Sequence, residues 1–169
     1  ALTVGGRRII DRQLSVLRHV AEHILIVTND PHRFRGSGLR VCADLIPGSG
    51  PLGGLYTALV RSPTASTIVV ACDLPFLGPV TLRHLLRERD TDRIATAYRS
   101  ARDGLPEPLC AIYEPSAFRE LSRFWEEEKM RCPRKILIRT EPKLLDPVDH
   151  RALDNVNTPE DLAKAEAMV

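Results

Sequence analysis

The chain predicts an α/β protein with a mostly parallel sheet. Three observations predict it. Residues 24–27 (Ile-Leu-Ile-Val) and 68–72 (Ile-Val-Val-Ala-Cys) are continuous apolar runs, the pattern of strands covered on both faces by helices. Between such runs, apolar positions recur at helical spacing. Polar loops at 29–30, 44–54 and 73–76 each follow a strand candidate, and right-handed crossovers place such loops along one carboxyl edge of the sheet, where α/β folds hold ligands.

In chain order, Ile9, Ile10, Leu14, Leu17 and Val20 stripe a helix over 8–20, with arginines filling much of its other face. The strand at 24–28 stops at Asn29-Asp30-Pro31. A second strand is expected over 39–43, then a Gly- and Pro-rich loop over 44–54 that turns helical over 52–60. The strand at 67–72 ends at Asp73, and Pro79 opens a helix to about residue 89, because a first-turn proline sacrifices no intrahelical hydrogen bond. Residues 94–98 and 109–113 read as strands separated by the turn at 103–106, a pair that suits either a hairpin or an antiparallel excursion from the main sheet. Phe118, Leu121, Phe124 and Trp125 stripe a helix ending in the acidic run 126–128. Residues 134–139 fit strand or helix, 144–145 a last short strand. Thr158-Pro159-Glu160-Asp161 supplies a cap, a first-turn proline and acidic residues for a helix over 159–168.

The chain's 169 residues (18.9 kDa) suit a single domain able to bury a core. Apolar residues make up 43% and charged residues 27%, which excludes a disordered or disulfide-scaffold protein. A net charge of +2 does not supply the basic surface that nucleic acid requires. The apolar runs fall far short of the roughly 20 residues that cross a bilayer, so no membrane partner is expected. Cys42, Cys72, Cys110 and Cys132 form no Cys-x-x-Cys pair, three of them lie in apolar runs that suit buried thiols, and a reducing cytoplasm is the expected location.

Asp73 is the most informative single residue. It ends an apolar strand where no charge is needed for packing, and an Asp at a carboxyl edge can hold Mg2+ together with nucleotide phosphates; alternatively, it starts the turn before Pro75 by bonding nearby amides. Gly48, Gly50 and Gly53 match G-x-G-x-x-G, with Asp73 at the distance of a ribose-binding acid, which keeps an NAD(P)-dependent oxidoreductase as a rival reading. Against it, residues 44–47 separate the first glycine from its strand, and Pro51 removes a backbone donor beside the phosphate cradle.

Asp44 with 50–55 (Gly-Pro-Leu-Gly-Gly-Leu), 70–76 (Val-Ala-Cys-Asp-Leu-Pro-Phe), 107–113 (Glu-Pro-Leu-Cys-Ala-Ile-Tyr) and 155–162 (Asn-Val-Asn-Thr-Pro-Glu-Asp-Leu) together resemble the molybdenum cofactor guanylyltransferase family in order and spacing. The resemblance implies a Rossmann-like three-layer nucleotidyltransferase fold and transfer of GMP from GTP to the terminal phosphate of molybdopterin, with Mg2+ as cofactor and pyrophosphate released. It implies that Asn29 and Asp44 contact the guanine nucleotide, that Gly50, Pro51, Leu52 and Gly53 shape its pocket, that Asp73 holds the metal, and that Asn155 and Asn157 lie near the reacting phosphates. Read from the residues alone, Asn155 and Asn157 equally suit amides that satisfy the loop before a capped helix. GTP and molybdopterin are the implied partners, with transient contact to proteins that carry the pterin or accept the product.

The family's glycine-rich phosphate loop, with its Arg-Met-Gly and Asp-Lys pair, would lie just before the segment beginning Ala1-Leu2. The expectation is therefore one nucleotidyltransferase domain without its N-terminal strand and phosphate loop, which keeps a catalytically silent binding protein of the same fold as a further reading. Lys129, Arg131, Arg134 and Lys135 form a basic cluster; Arg134 and Lys135 are candidates for the phosphate or the pterin side of the second substrate, and a solvated face is the alternative.

Overall fold

A computed structural model describes residues 2–168. Strands β1 (Thr3–Val4) and β2 (Arg7–Arg8) form a hairpin whose two-residue turn uses Gly5 and Gly6 at φ of 56° and 70°, the left-handed conformation that the right-handed twist of flanking strands demands. Helix α1 (Ile9–Leu17) follows directly and buries Ile9, Gln13 and Leu14. It is shorter than its periodic stripe, since 18–21 continue as turns bonded back to Leu14, Val16 and Leu17. Then come β3 (Leu25–Thr28), a 3-10 turn at Pro31–Phe34, β4 (Arg40–Ala43), α2 (Gly50–Val60), β5 (Thr67–Val70), α3 (Pro79–Arg87), β6 (Ala95–Arg99) and β7 (Pro106–Tyr113). Helices α4 (Ala117–Glu126) and α5 (Pro133–Arg139), strand β8 (Lys143–Leu145), a 3-10 turn at His150–Leu153 and α6 (Pro159–Glu166) complete the chain.

The strands form three sheets. Besides the β1–β2 hairpin, β3 pairs β4 in parallel, and a four-stranded sheet runs in the order β5-β7-β6-β8. Strand β7 is antiparallel to both β5 and β6, while β8 is parallel to β6. Three of those four strands therefore share one direction, and the expected pairing of 94–98 with 109–113 is the β6–β7 ladder.

Successive side chains of β6 and β7 point into opposite cores. On one face Ala97, Ala111 and Tyr113 pack with Leu55 of α2, Phe124 of α4 and Ile136 of α5. On the other, Tyr98, Cys110 and Ile112 meet Leu82 and Leu85 of α3, with Val16 and Leu17 of α1 beside them. Those are the three layers of the α/β fold. Both buried phenols are satisfied: Tyr98 donates to the Thr81 carbonyl at 2.7 Å and Tyr113 to that of Pro108 at 2.8 Å. A third cluster, Val4, Ile9, Val156 and Ala165, ties the hairpin and α1 to the last helix.

The sequence left 134–139 open between strand and helix; Pro133 at the first turn and the buried pair Ile136 and Leu137 make it α5. Two expectations are corrected. Strands β3 and β5, read as covered on both faces, are mostly only half-buried, because each has an unpaired edge beside a cleft. Of the thiols expected inside, Cys110 is buried but Cys72 is exposed, since it lies past the last paired residue of β5.

The end of the chain behaves as its sequence predicts. The Thr158 hydroxyl accepts from Asp161 N–H at 3.1 Å, while the Asp161 carboxylate accepts from the Thr158 N–H at 3.0 Å. Thr158→Ala removes half of this reciprocal cap and is expected to cost about 1 kcal/mol, or about 2–4 °C in melting temperature for a chain of this size; calorimetry checks it.

Candidate active site

Strand β5 delivers Asp73 to the carboxyl edge of the sheet. The turn that follows is held from two sides. Gln13, 3% exposed on α1, donates its amide to the carbonyls of Ala71 and Leu74. Val156 N–H donates to the Asp73 carbonyl at 2.9 Å, which brings the 155–157 segment against the end of β5. The Asp73 side chain is half-buried, and its Oδ1 is buried with no hydrogen-bond partner. Partial burial pushes its carboxyl above the ordinary value, against the opposing pull of a backbone hydrogen bond.

A buried carboxylate oxygen without a partner is costly unless a cation reaches it. The donor chemistry fits Mg2+, a hard cation that needs few protein ligands because it keeps waters and recruits phosphate oxygens. Among the described residues no three His, Cys, Asp or Glu side chains converge into a cage, and Asp73 is the one pocket carboxylate with a buried oxygen that has no hydrogen-bond partner.

A pocket of about 740 Å³ opens in front of Asp73, with Pro51, Glu107, Arg134, Asn155 and Asn157 on its walls. The backbone at Asn157 is fixed by its N–H donating to Asp161 at 3.2 Å. Among the described residues the side-chain amides of Asn155 and Asn157 make no hydrogen bond within the chain, and both residues are exposed. They are thus presented to the pocket rather than spent on their own loop. Arg134 is spent: it donates to Asp103 at 3.0 Å and to Glu107 at 2.9 Å, tying the 103–106 turn to α5. Lys135, its exposed neighbour, is not on the pocket wall.

The glycine-bearing loop is organised by Asp44. Its carboxylate accepts from Ile46 N–H at 2.9 Å and from the Thr57 hydroxyl at 3.0 Å, while that hydroxyl accepts from Leu45 N–H at 2.9 Å. Gly53 lies against this carboxylate so closely that a Cβ there would sit 2.8 Å from Asp44 Oδ2 and 2.9 Å from the Ile46 carbonyl. Asp44 and Gly53 therefore face each other inside the loop, Leu52 is 1% exposed in the core, and Gly50 starts α2. Only Pro51 of this group reaches the pocket wall; Asn29, exposed past the end of β3, does not. The same geometry weighs against a dinucleotide fingerprint, since neither Gly48, Gly50 nor Gly53 lines the pocket.

Two positioning residues escaped the sequence reading, Gln13 and Thr57. Each had a signal, a lone hydrogen-bonding side chain on an otherwise apolar helix stripe: Gln13 lies four residues after Ile9, and Thr57 lies between Leu55 and Leu59. Thr57→Val removes one of the two donors to the Asp44 carboxylate and leaves the Leu45 N–H without its acceptor, and is expected to destabilise the fold by about 1–3 kcal/mol, seen as a lower denaturation midpoint with an unchanged denaturant slope.

A three-layer α/β fold with an unpaired Asp at a strand end, facing a pocket rimmed by free amides, is compatible with nucleotidyl transfer. The chain belongs to the MobA-like NTP transferase domain family, whose sequence model matches residues 1–143. It is 32% identical over 178 residues to a probable molybdenum cofactor guanylyltransferase of Pelotomaculum thermopropionicum, covering 99% of this chain and 83% of that protein. It is 31% identical over 134 residues to a molybdenum cofactor biosynthesis bifunctional protein of Synechocystis, of which the match spans 38%. Among solved structures, molybdopterin-guanine dinucleotide biosynthesis protein A of Archaeoglobus fulgidus superposes with a TM-score of 0.79 at 26% identity, over 99% of this chain and 88% of that one. The 2-C-methyl-D-erythritol 4-phosphate cytidylyltransferase of Thermus thermophilus shares the fold, with a TM-score of 0.74 at 17% identity over 98% and 90% of the two chains.

Proposed function

We propose that this protein transfers GMP from GTP to molybdopterin in a Mg2+-dependent reaction centred on Asp73. The observation that carries this reading is the buried, unpartnered Oδ1 of Asp73 in a chain of this family. A terminal phosphate oxygen of molybdopterin attacks the α-phosphorus of GTP, the bond from that phosphorus to the bridging oxygen breaks, and pyrophosphate leaves. No protein nucleophile is needed; alignment and neutralisation of phosphate charge suffice.

Asp73 is the residue that would hold Mg2+. The bound ion supplies Lewis-acid neutralisation of phosphate oxygens. Asn155 and Asn157 donate their free amides to those oxygens, and Pro51 packs an apolar surface against the sugar or base. Asp44, Gly53 and Thr57 hold the loop that places Pro51. Arg134, through Asp103 and Glu107, fixes the far wall where the second substrate enters. Four free thiols support a reducing, cytoplasmic setting, and brief contact with proteins that deliver the pterin or accept the dinucleotide belongs to the same reading. Among the described residues, no helix is long and apolar enough to cross a membrane.

Incubation with molybdopterin, Mg2+ and GTP labelled at the α-phosphate tests the reading: one pyrophosphate should appear per labelled dinucleotide. Transfer from CTP in preference to GTP, or stabilisation by NAD without metal, overturns it.

The acid side of the rate profile supplies a separate check. Burial raises the Asp73 pKa, so protons compete with metal up to a higher pH than for an ordinary carboxylate. The rate is expected to fall as pH drops through that raised value, and added Mg2+ should move the fall to lower pH. An acid limb indifferent to Mg2+ contradicts the assignment.

A further inference from the structure

The walls of the pocket in front of Asp73 carry more charged groups than metal and nucleotide binding account for. Several of them are already committed. Asp103 and Glu107 are held by Arg134, and Asp161 accepts from the N–H groups of Asn157 and Thr158. Among the described residues, the wall groups whose side chains have no partner within the chain are two carboxylates, Asp73 and Asp154, and three cations, Arg102, His150 and Lys164. With a metal ion on Asp73, the uncommitted charge of the pocket is positive, which suits anionic ligands.

Lys164 is the one of these cations tied most closely to the Asn155–Asn157 segment. Along α6 and the turn after it, Asp161, Lys164, Ala165 and Met168 recur at the spacing of one helix face, and all four line the pocket. The face is firmly seated. Thr158 and Asp161 cap its start reciprocally, Ala165 is 2% exposed in the cluster with Val4, Ile9 and Val156, and Glu166 accepts from the Gly5 N–H at 3.0 Å. Lys164 follows Asp161 by three residues, about 4.5 Å along the axis, and Asp161 is the carboxylate that holds the Asn157 N–H. The Asp161 carboxyl is kept below its ordinary value chiefly by its hydrogen bond with the Thr158 side chain, then by the N–H groups of Asn157 and Thr158, and the Lys164 charge adds to this. The lysine is therefore anchored within one helical turn of the two free amides.

Joining two phosphates brings two polyanions together, and the amides of Asn155 and Asn157 carry no charge to offset that. A phosphomonoester bears a charge of roughly −1.5 to −2 at neutral pH, and an ammonium gives it a charge-assisted hydrogen bond about twice as strong as a neutral donor does. Arg134 is spent on two carboxylates.

We infer that Lys164 is a substrate-binding residue, the cation that holds the acceptor's terminal phosphate beside Asn155 and Asn157. The identity of that acceptor rests on the guanylyl-transfer reading; the affinity of the position for a phosphomonoester dianion does not.

The test compares three variants with the wild type. Lys164→Met keeps the length of the side chain without its charge, Lys164→Arg restores the charge, and Arg151→Gln removes an exposed cation next to His150 but off the pocket wall. Phenyl phosphate, without GTP or Mg2+, should shift the Asn155, Asn157 and Ala165 amide signals saturably in the wild type, Lys164→Arg and Arg151→Gln. In Lys164→Met its Kd should rise about tenfold or more, and added salt should weaken binding less than in the wild type. In turnover, Lys164→Met should raise KM for molybdopterin about tenfold or more and leave KM for GTP unchanged, with Lys164→Arg close to wild type. All four proteins should melt together. Unchanged phenyl phosphate binding in Lys164→Met, equal weakening in Arg151→Gln, shifts centred away from α6, or a raised KM for GTP in place of molybdopterin overturns the inference. Lys164-dependent binding of phenyl phosphate in a protein that transfers no GMP counts against the guanylyl-transfer reading alone.

Discussion

Asp73→Asn is expected to reduce nucleotidyl transfer by about 10³-fold or more, the scale on which loss of preorganised charge stabilisation is felt, without lowering the melting temperature at neutral pH. The two halves of this result have one cause. Oδ1 is buried without a partner, and burial raises the carboxyl pKa, so the folded protein holds the proton more tightly than the unfolded chain does. Stability contributed by this group is then greatest at low pH and declines as pH rises through the ordinary carboxylate value to the raised folded value. At neutral pH the ionised carboxylate is a cost that Asn does not carry. The variant should match or exceed the wild type in melting temperature at pH 7, and the advantage should vanish in acid. An Asp that merely caps its own turn predicts the opposite: lower stability and intact transfer.

Gly53→Ala is expected to be strongly destabilising, because an added Cβ there meets backbone and carboxylate oxygens within 3.0 Å. The new Cβ would meet Asp44 Oδ2 at 2.8 Å and the Ile46 carbonyl at 2.9 Å, and a backbone carbonyl cannot swing aside as a side-chain tip can. Overpacking of this kind costs about 1–3 kcal/mol, several degrees in melting temperature. Because Asp44 also holds Ile46 N–H and Thr57, the clash propagates into the loop that sets Pro51 on the pocket. Asp44→Ala in the same chain relieves one of the two contacts and should recover only part of the loss; a double-mutant cycle on the four proteins measures that coupling. Gly54→Ala, with open space around its Cβ, is the matched control and should be nearly neutral or slightly stabilising.

Much of this fold was legible because its signals are local. The capped start of α6, the first-turn prolines of α3 and α6, and the apolar runs at β3 and β5 each state their structure within a few residues. Asp73 was legible for the same reason, a charge placed where an apolar strand ends. What the sequence could not show is long-range. The bond from Val156 N–H to the Asp73 carbonyl joins positions 83 apart in the chain, and no local pattern announces it. The resemblance implies that Asp44 contacts the nucleotide, whereas one of its carboxylate oxygens turns inward to Thr57, 13 residues further along the chain but within hydrogen-bond distance in space. Arg134, read within a basic run, belongs to an ion-pair bridge formed across 27 and 31 residues. The half-exposure of β3 and β5 was invisible for a different reason: their residues are those of covered strands, and the cleft between them is a property of sheet order.

The central claim, that a divalent ion and a guanine nucleotide meet at Asp73, is tested most directly by replacing Mg2+ with paramagnetic Mn2+ and following backbone amide signals in the presence of GTP. Broadening should centre on Leu74, Asn155, Val156 and Asn157, should require GTP, and should vanish in Asp73→Asn. Broadening centred elsewhere, or a Leu74-to-Asn157 pattern that survives removal of the Asp73 carboxylate, would contradict the account.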